Sequence, residues 1–413
     1  MKHLIWSVML VWLQFPVFGW TFTDVNAPGA TTDPSFYNSS ITWRPQGDYA
    51  ILANTTGLYR YDHPSGALSY QVFSGSLYRA AFAPDGSYAL VTGGTHIYRY
   101  EHAATGFGTL AEITDIESHG STPLSFYDIV WDPSDPGGPA YIACNLGSGS
   151  SHQLVVVRYD PYDSPQVYAD YSGGSYVAQY EFAPISVAFQ ADGDYMVIGC
   201  TQTSPLCHGF FVFDPDGSTF PDTSGNMQYY GNDFYVGNTN TVLMSPVSGK
   251  RFVLVKGNGR VVRWTQQSLP ATFILDYPDW YTAIMGGDSD YNTSGTIGIF
   301  LERQEWTPYH RIMINDGDGD EVTNALAVTG GDFTNRTLRI YAVEWNPTAE
   351  MGLMAGEDRW IFRFDSEPIP TPEVSPTPTS TPPAVPASGA MGTAVLMGVM
   401  ALLIVLCRPR NHQ

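Results

Sequence analysis

Leu77-Tyr78-Arg79-Ala80-Ala81-Phe82-Ala83-Pro84-Asp85-Gly86-Ser87-Tyr88-Ala89-Leu90-Val91-Thr92-Gly93-Gly94-Thr95-His96-Ile97-Tyr98-Arg99-Tyr100-Glu101 reads as three short strands joined by two tight turns. Pro84 presets φ, Asp85 bonds its own backbone and Gly86 accepts φ > 0, so the first turn has a mechanism. Gly93-Gly94 makes the second. Between them the runs are rich in β-branched and aromatic residues, as strands are.

The same sentence recurs along the chain, and a recurring unit decides a fold before any local detail does. Unit one opens at Ile41-Thr42-Trp43, turns at Pro45-Gln46-Gly47-Asp48, and continues through Tyr49–Ala53, Leu58–Asp62 and Leu68–Phe73. The quoted stretch is unit two, with a fourth strand near Gly108–Ile113. Units three, four and five open at Asp128–Trp131, Ser186–Phe189 and Thr241–Met244. Unit five ends at Thr272–Asp276, and a degenerate unit six is expected from Tyr281–Met285 onward. Unit seven spans Leu338–Asp365 and stops one strand short. Trp20-Thr21-Phe22-Thr23-Asp24 alternates apolar and polar and precedes unit one, so it is expected to pair with Trp360–Asp365 and latch a ring. Closing a ring removes long exposed strand edges.

Phe82-Ala83-Pro84-Asp85-Gly86, followed by a strand, a Gly-rich turn and another strand, resembles WD-repeat and related β-propellers over most of Ile41–Asp365. No Gly-His opens the units, and Tyr-Asp, Tyr-Glu and Phe-Asp stand where Trp-Asp would close them. The resemblance implies an all-β, seven-bladed β-propeller of four-stranded antiparallel blades, closed by an N-terminal strand. In propellers the ligand face is built by the loops between second and third strands and by the loops linking blades.

The ends speak about location. Lys2 and His3 precede an apolar run ending near Phe18, so residues 1–19 read as a secretory signal before a 20–365 domain. Residues 366–388 form a Pro/Thr-rich linker, extended as polyproline II. Residues 389–413 hold an apolar helix followed by Arg408 and Arg410, expected to anchor the chain to a membrane with its body outside. The tail resembles the C-terminal sorting signals of bacterial surface proteins, around Val385-Pro386-Ala387-Ser388-Gly389, and equally fits a plain stalk and anchor. A net charge of -21 and three lysines, Lys2, Lys250 and Lys256, leave no basic stripe and argue against a nucleic-acid partner.

Long loops at His119–Tyr127, Tyr171–Pro184 and Tyr229–Asn240 are expected to crowd one face. They would bring Tyr230, Tyr235, Trp280, Tyr281, Trp306, Asp358 and Arg359 together as a ligand surface. Aromatic rings beside charged groups suit an extracellular protein or glycan. Asp316-Gly317-Asp318-Gly319-Asp320 places alternate carboxylates in a turn, a pattern that suits a structural Ca²⁺, although the sequence fails the helix-loop-helix calcium motif at Glu321 and Ala327. Cys200 and Cys207 flank a strand turn and are a candidate disulfide in an exported chain. The recurrent Arg60, Arg99, Arg158, Arg263 and Arg363 hold one register position per unit, so they are expected to bridge acids on neighbouring strands. Asn38, Asn54, Asn292 and Asn335 lie in Asn-x-Ser/Thr sequons.

No Gly-x-Ser-x-Gly elbow, His-Glu-x-x-His pair or phosphate loop is present. The expectation is a non-enzymatic surface protein. The alternatives are a propeller hydrolase or lyase acting on a sugar or lactone, and a purely structural surface protein.

Overall fold

The computed structural model describes residues 20–25, 40–114, 118–119, 122–146, 153–161, 166–170, 182–202, 208–214, 227–232, 241–249, 252–257, 260–266, 273–281, 289–295, 297–303, 310–316, 322–327, 340–356 and 361–366. The chain divides into two compact units, residues 1–367 and 368–413, and every described residue belongs to the first. Among the described residues no helix is long and apolar enough to cross a membrane. The segments 1–19 and 389–413 lie outside the described residues, as does all but Ser366 of the 366–388 linker.

The described strands form seven antiparallel sheets, each laid down almost wholly in chain order. The first holds β2 (Ser40–Trp43), β3 (Tyr49–Asn54), β4 (Gly57–Asp62) and β5 (Ala67–Val72), preceded in the chain by β1 (Trp20–Asp24). The second holds β6 (Arg79–Phe82), β7 (Tyr88–Gly93), β8 (His96–Glu101) and β9 (Leu110–Glu112). The third holds β10 (Ser118–His119), β11 (Thr122–Trp131), β12 (Ala140–Leu146), β13 (Gln153–Tyr159) and β14 (Gln166–Asp170). The fourth holds β15 (Phe182–Phe189), β16 (Met196–Gln202), β17 (His208–Phe213) and β18 (Met227–Asn232). The fifth holds β19 (Thr241–Met244), β20 (Phe252–Gly257), β21 (Arg260–Gln266) and β22 (Phe273–Tyr281). The sixth holds β23 (Ser289–Tyr291), β24 (Ile297–Arg303), β25 (His310–Asp316) and β26 (Val322–Ala327). In the last, β27 (Ile340–Trp345), β28 (Met351–Gly356) and β29 (Ile361–Ser366) are completed by β1.

One turn recurs between first and second strands. Gly86 N–H donates to Ala83 O at 2.8 Å and Ala83 N–H to Tyr88 O at 2.9 Å, with φ +70° at Gly86. Arg44–Tyr49 and Gln190–Tyr195 repeat both bonds, closing on Gly47 and Gly193. These turns also touch. Arg44 Nε donates to Gly86 O at 2.9 Å, Gly249 N–H to Asp192 Oδ2 at 3.1 Å, and Thr293 Oγ1 to Pro347 O at 3.1 Å. Across the ends of the chain, Asn346 Nδ2 donates to Gly47 O at 2.9 Å.

The second strands explain why a continuous apolar run can still be a strand. Every residue of β3 is buried, and its alternate faces feed different clusters. Tyr49, Ile51 and Ala53 pack with Phe82, Ala89, Val91 and Tyr100 of the second sheet. Ala50 and Leu52 pack with Val25, Ala342, Met351, Leu353 and Ile361, from the two ends of the domain. Similarly β12 turns Ile142 and Cys144 towards Leu90 and Ile97, and Tyr141 and Ala143 towards Met196 and Phe211. The last, first, second, third and fourth sheets are thus glued in succession by hydrophobic burial.

The pairing expected for Trp20–Asp24 is present, with β29. Trp20, Thr21, Phe22, Thr23 and Asp24 lie opposite Ser366, Asp365, Phe364, Arg363 and Phe362, and Val25 N–H donates to Ile361 O at 2.8 Å.

Several boundaries differ from expectation, each for a physical reason. His119–Tyr127 and Tyr171–Pro184 are not purely loops, because β11 begins at Thr122 and β15 at Phe182. Register shifts at Phe126/Asp128 and Pro184/Ser186 let these longer strands bend without losing their pairing. β22 runs past Asp276 to Tyr281 through Pro278, tolerated because this outer strand pairs on one side alone, with β21. Unit six therefore opens at Ser289, not Tyr281.

The arginines also need correction. Four of the five pair with the acid two residues further along the chain, not with a neighbouring strand; two residues after Arg263 stands Thr265. Arg60 Nε lies 2.7 Å from Asp62 Oδ1, Arg99 Nε 2.7 Å from Glu101 Oε1, and Arg158 Nη2 3.3 Å from Asp160 Oδ2. Residues two apart share a strand face, so the pair forms locally. Arg60 and Arg99 lie over the rings of Tyr49 and Tyr88, at 3.9 and 4.0 Å to the centroids. Burial pushes both tyrosine hydroxyls well above their ordinary pKa.

Candidate functional site

Polar residues in the first strands of six units meet. β2, β6, β11, β15, β19, β23 and β27 contact one another in that order, and β27 also contacts β2. A cavity of about 240 Å³ is lined by Ser40, Arg79, Asp128, Ser186, Thr241 and Asp290, from six different sheets, with adjacent strand residues such as Ile41 and Val242.

The polar lining is held by bonds from one unit to the next. Ser40 Oγ accepts from Ala80 N–H at 2.9 Å, and Ser186 Oγ from Val242 N–H at 3.3 Å. Asp128 Oδ2 accepts from Val187 N–H at 2.8 Å while Oδ1 accepts from Ile129 N–H at 3.0 Å. Asp290 repeats this with Trp345 N–H and Tyr291 N–H, both at 2.8 Å. Glu344 Oε1 accepts from Trp43 N–H at 3.3 Å, joining the last unit to the first. A short polar side chain at these positions thus satisfies a backbone donor that would otherwise be orphaned. Arg79 Nε lies 3.9 Å from Asp128 Oδ1 inside the cavity.

This set differs from the aromatic surface expected from the sequence. Tyr230 sits in the outer strand β18, opposite Phe210, and not in a loop. Trp280 and Tyr281 end the outer strand β22, opposite Val261 and Arg260. These three belong to peripheral strands, so they are not gathered with the first-strand residues. Tyr235, Trp306, Asp358 and Arg359 lie outside the described residues. Asp316 closes β25, while Asp318 and Asp320 lie outside the described residues. Among the described residues no cluster of three metal-ligating side chains forms. Both carboxylate oxygens of Asp290 accept backbone N–H groups, as above. Cys200 lies in β16 and Cys207 outside the described residues. Cys144 is a buried free thiol whose pKa burial pushes up.

Two sequons are sealed. Asn54 is 1% exposed, its Oδ1 accepting Thr56 N–H and Gly57 N–H at 2.8 Å, and Asn292 is 4% exposed. The signal for the cavity was in the sequence: Ser40, Arg79, Asp128, Ser186 and Thr241 each stand three residues before the residue that ends a first strand. A lone polar residue beside an apolar run looks generic until the strands are brought together.

No family model matches the chain, and no curated protein matches it. Among solved structures it is similar to the β-propeller domain of Cps50 (Swd1) from Myceliophteria thermophila, at 12% identity and a TM-score of 0.57. The likeness covers 84% of this chain and all of that domain. The chain has a β-propeller fold.

Proposed function

We propose that this chain is a non-enzymatic binding protein displayed outside the cell, built as a seven-bladed propeller whose ring its own N-terminal strand closes. Seven sheets in chain order support the blade count. The β1–β29 pairing and the Glu344–Trp43 and Asn346–Gly47 bonds support closure. The secretory signal over 1–19, the Pro/Thr linker and the apolar, Arg-ended segment 389–413 support export and a membrane or sorting anchor at a bacterial surface.

The ligand is an extracellular protein or glycan, taken at the mouth of the central channel. The observation that carries this reading is the polar cavity to which six units contribute a side chain. Binding is favoured over hydrolysis or elimination because both cavity carboxylates, Asp128 and Asp290, already have a structural task between units. The test exposes full-length protein and its Thr241→Lys variant to glycan and peptide arrays. Ligands that bind the parent and are lost on filling the cavity support the reading. Unchanged binding by the variant, or turnover in a parallel lactone-hydrolysis screen, overturns it.

A further inference from the structure

We infer that the group taken into this cavity is a cation, the ammonium or guanidinium of a lysine or arginine side chain on a partner polypeptide. This deepens the binding reading above and rests on it. Asp128 and Asp290 face a single Arg79 in the lining, a formal balance of 1 − 2 = −1. Arg79 is also drawn to Asp128, at 3.9 Å, so its own field is partly offset where it stands. The other polar lining groups are the hydroxyls of Ser40, Ser186 and Thr241. Carboxylates and hydroxyls are acceptors, and a lysine ammonium brings three donors and no acceptor, an arginine guanidinium five.

The competing ligands fit less well. An anion would meet two carboxylates. A sugar is ordinarily gripped by stacking on an aromatic face, and no aromatic ring is among the described residues that line the cavity. Its volume, about 240 Å³, lies below the roughly 300–1,000 Å³ that holds a drug-sized molecule. One extended side chain fits that space; an oligosaccharide does not. The net charge of -21 acts at longer range, steering a basic segment to the acidic body and speeding its capture.

The test titrates full-length protein with labelled, blocked tripeptides Gly-Lys-Gly, Gly-Arg-Gly, Gly-Glu-Gly and Gly-Gln-Gly, and separately with spermidine and a neutral oligosaccharide. The Lys and Arg peptides bind, and added salt weakens them. Asp290→Asn weakens the Lys peptide by about tenfold or more, the scale of one charge-assisted contact. Arg79→Gln strengthens it several-fold, a direction that misfolding cannot produce. Preference for the Glu or Gln peptide, or weakening by Arg79→Gln, overturns the assignment. Binding of spermidine but of neither basic peptide overturns the polypeptide source. If the oligosaccharide alone binds and Thr241→Lys abolishes it, the binding site stands and the cation falls. If nothing binds, both fall.

Discussion

Replacing Gly47 by alanine tests how closely the last unit's turn seats against the first. Gly47 has φ +69°, a conformation that costs an L residue about 1–2 kcal/mol. A Cβ there would lie 2.0 Å from Thr348 Oγ1 and 2.6 Å from Asn346 Oδ1. Relieving that overlap in a packed site costs about 1–3 kcal/mol. Moving Asn346, 1% exposed, endangers its 2.9 Å bond to Gly47 O, worth about 1 kcal/mol more. The expected loss is about 3–6 kcal/mol. Gly249 is the control: φ is +78°, but a Cβ would meet nothing within 4 Å, so Gly249→Ala should cost about 1–2 kcal/mol. Urea unfolding of both full-length variants, followed by tryptophan fluorescence, reads the difference. Adding Thr348→Ala to Gly47→Ala should restore part of the loss. Equal costs for Gly47→Ala and Gly249→Ala would refute the seating of one turn on the other.

Ser186→Ala should cost about 1–3 kcal/mol in the same assay, because the buried Val242 N–H loses its acceptor. Thr92→Val should leave stability unchanged or raise it by about 1 kcal/mol, since Thr92 is fully buried and its Oγ1 has no hydrogen-bond partner among the described residues. Acid should weaken the domain through His63 and His102. Burial, then Arg363 beside His63 and Arg44 beside His102, lowers both pKa values. The unfolded chain then binds protons more readily near its ordinary value of about 6.5. Their contribution is therefore complete above that pH and is lost as pH falls from there towards the folded values. His63→Gln should flatten the melting-temperature profile between about pH 7.5 and 5.5; an unchanged slope in that variant and in His102→Gln would refute it.

The units with full turn chemistry were legible from sequence. Pro84-Asp85-Gly86 and Pro45-Gln46-Gly47 fix hairpin registers locally, so β2 to β8 fall within about a residue of expectation. Where pairing is decided by distant partners, sequence was a poorer guide. β14 and β18 are outer strands recruited by β13 and β17 after intervening segments, and nothing local marks them. The fourth strand of unit five was expected to end at Asp276, yet β22 runs on through Pro278, because a position on the free side of an outer strand needs no N–H donor. Tyr230 was expected in a loop and stands in β18, while Tyr281 was expected in the first strand of unit six and instead ends β22 beside Trp280. The cavity residues were hidden differently. Ser40, Asp128 and Asp290 acquire meaning only when the next unit's backbone N–H arrives, a contact between residues about 40 to 59 positions apart.

The account stands on the meeting of the domain's two ends. Its most direct test is a cross-strand disulfide between Trp20→Cys and Ser366→Cys, which lie opposite one another in β1 and β29, in a background with Cys200, Cys207 and Cys407 changed to serine. Paired antiparallel residues sit within the Cα separation that a disulfide spans. The account predicts spontaneous, near-complete cross-linking in the folded full-length protein, seen as a reductant-sensitive mobility shift, and a raised melting temperature. Free thiols at both positions in folded protein, with melting unchanged on removal of residues 20–25, would contradict it.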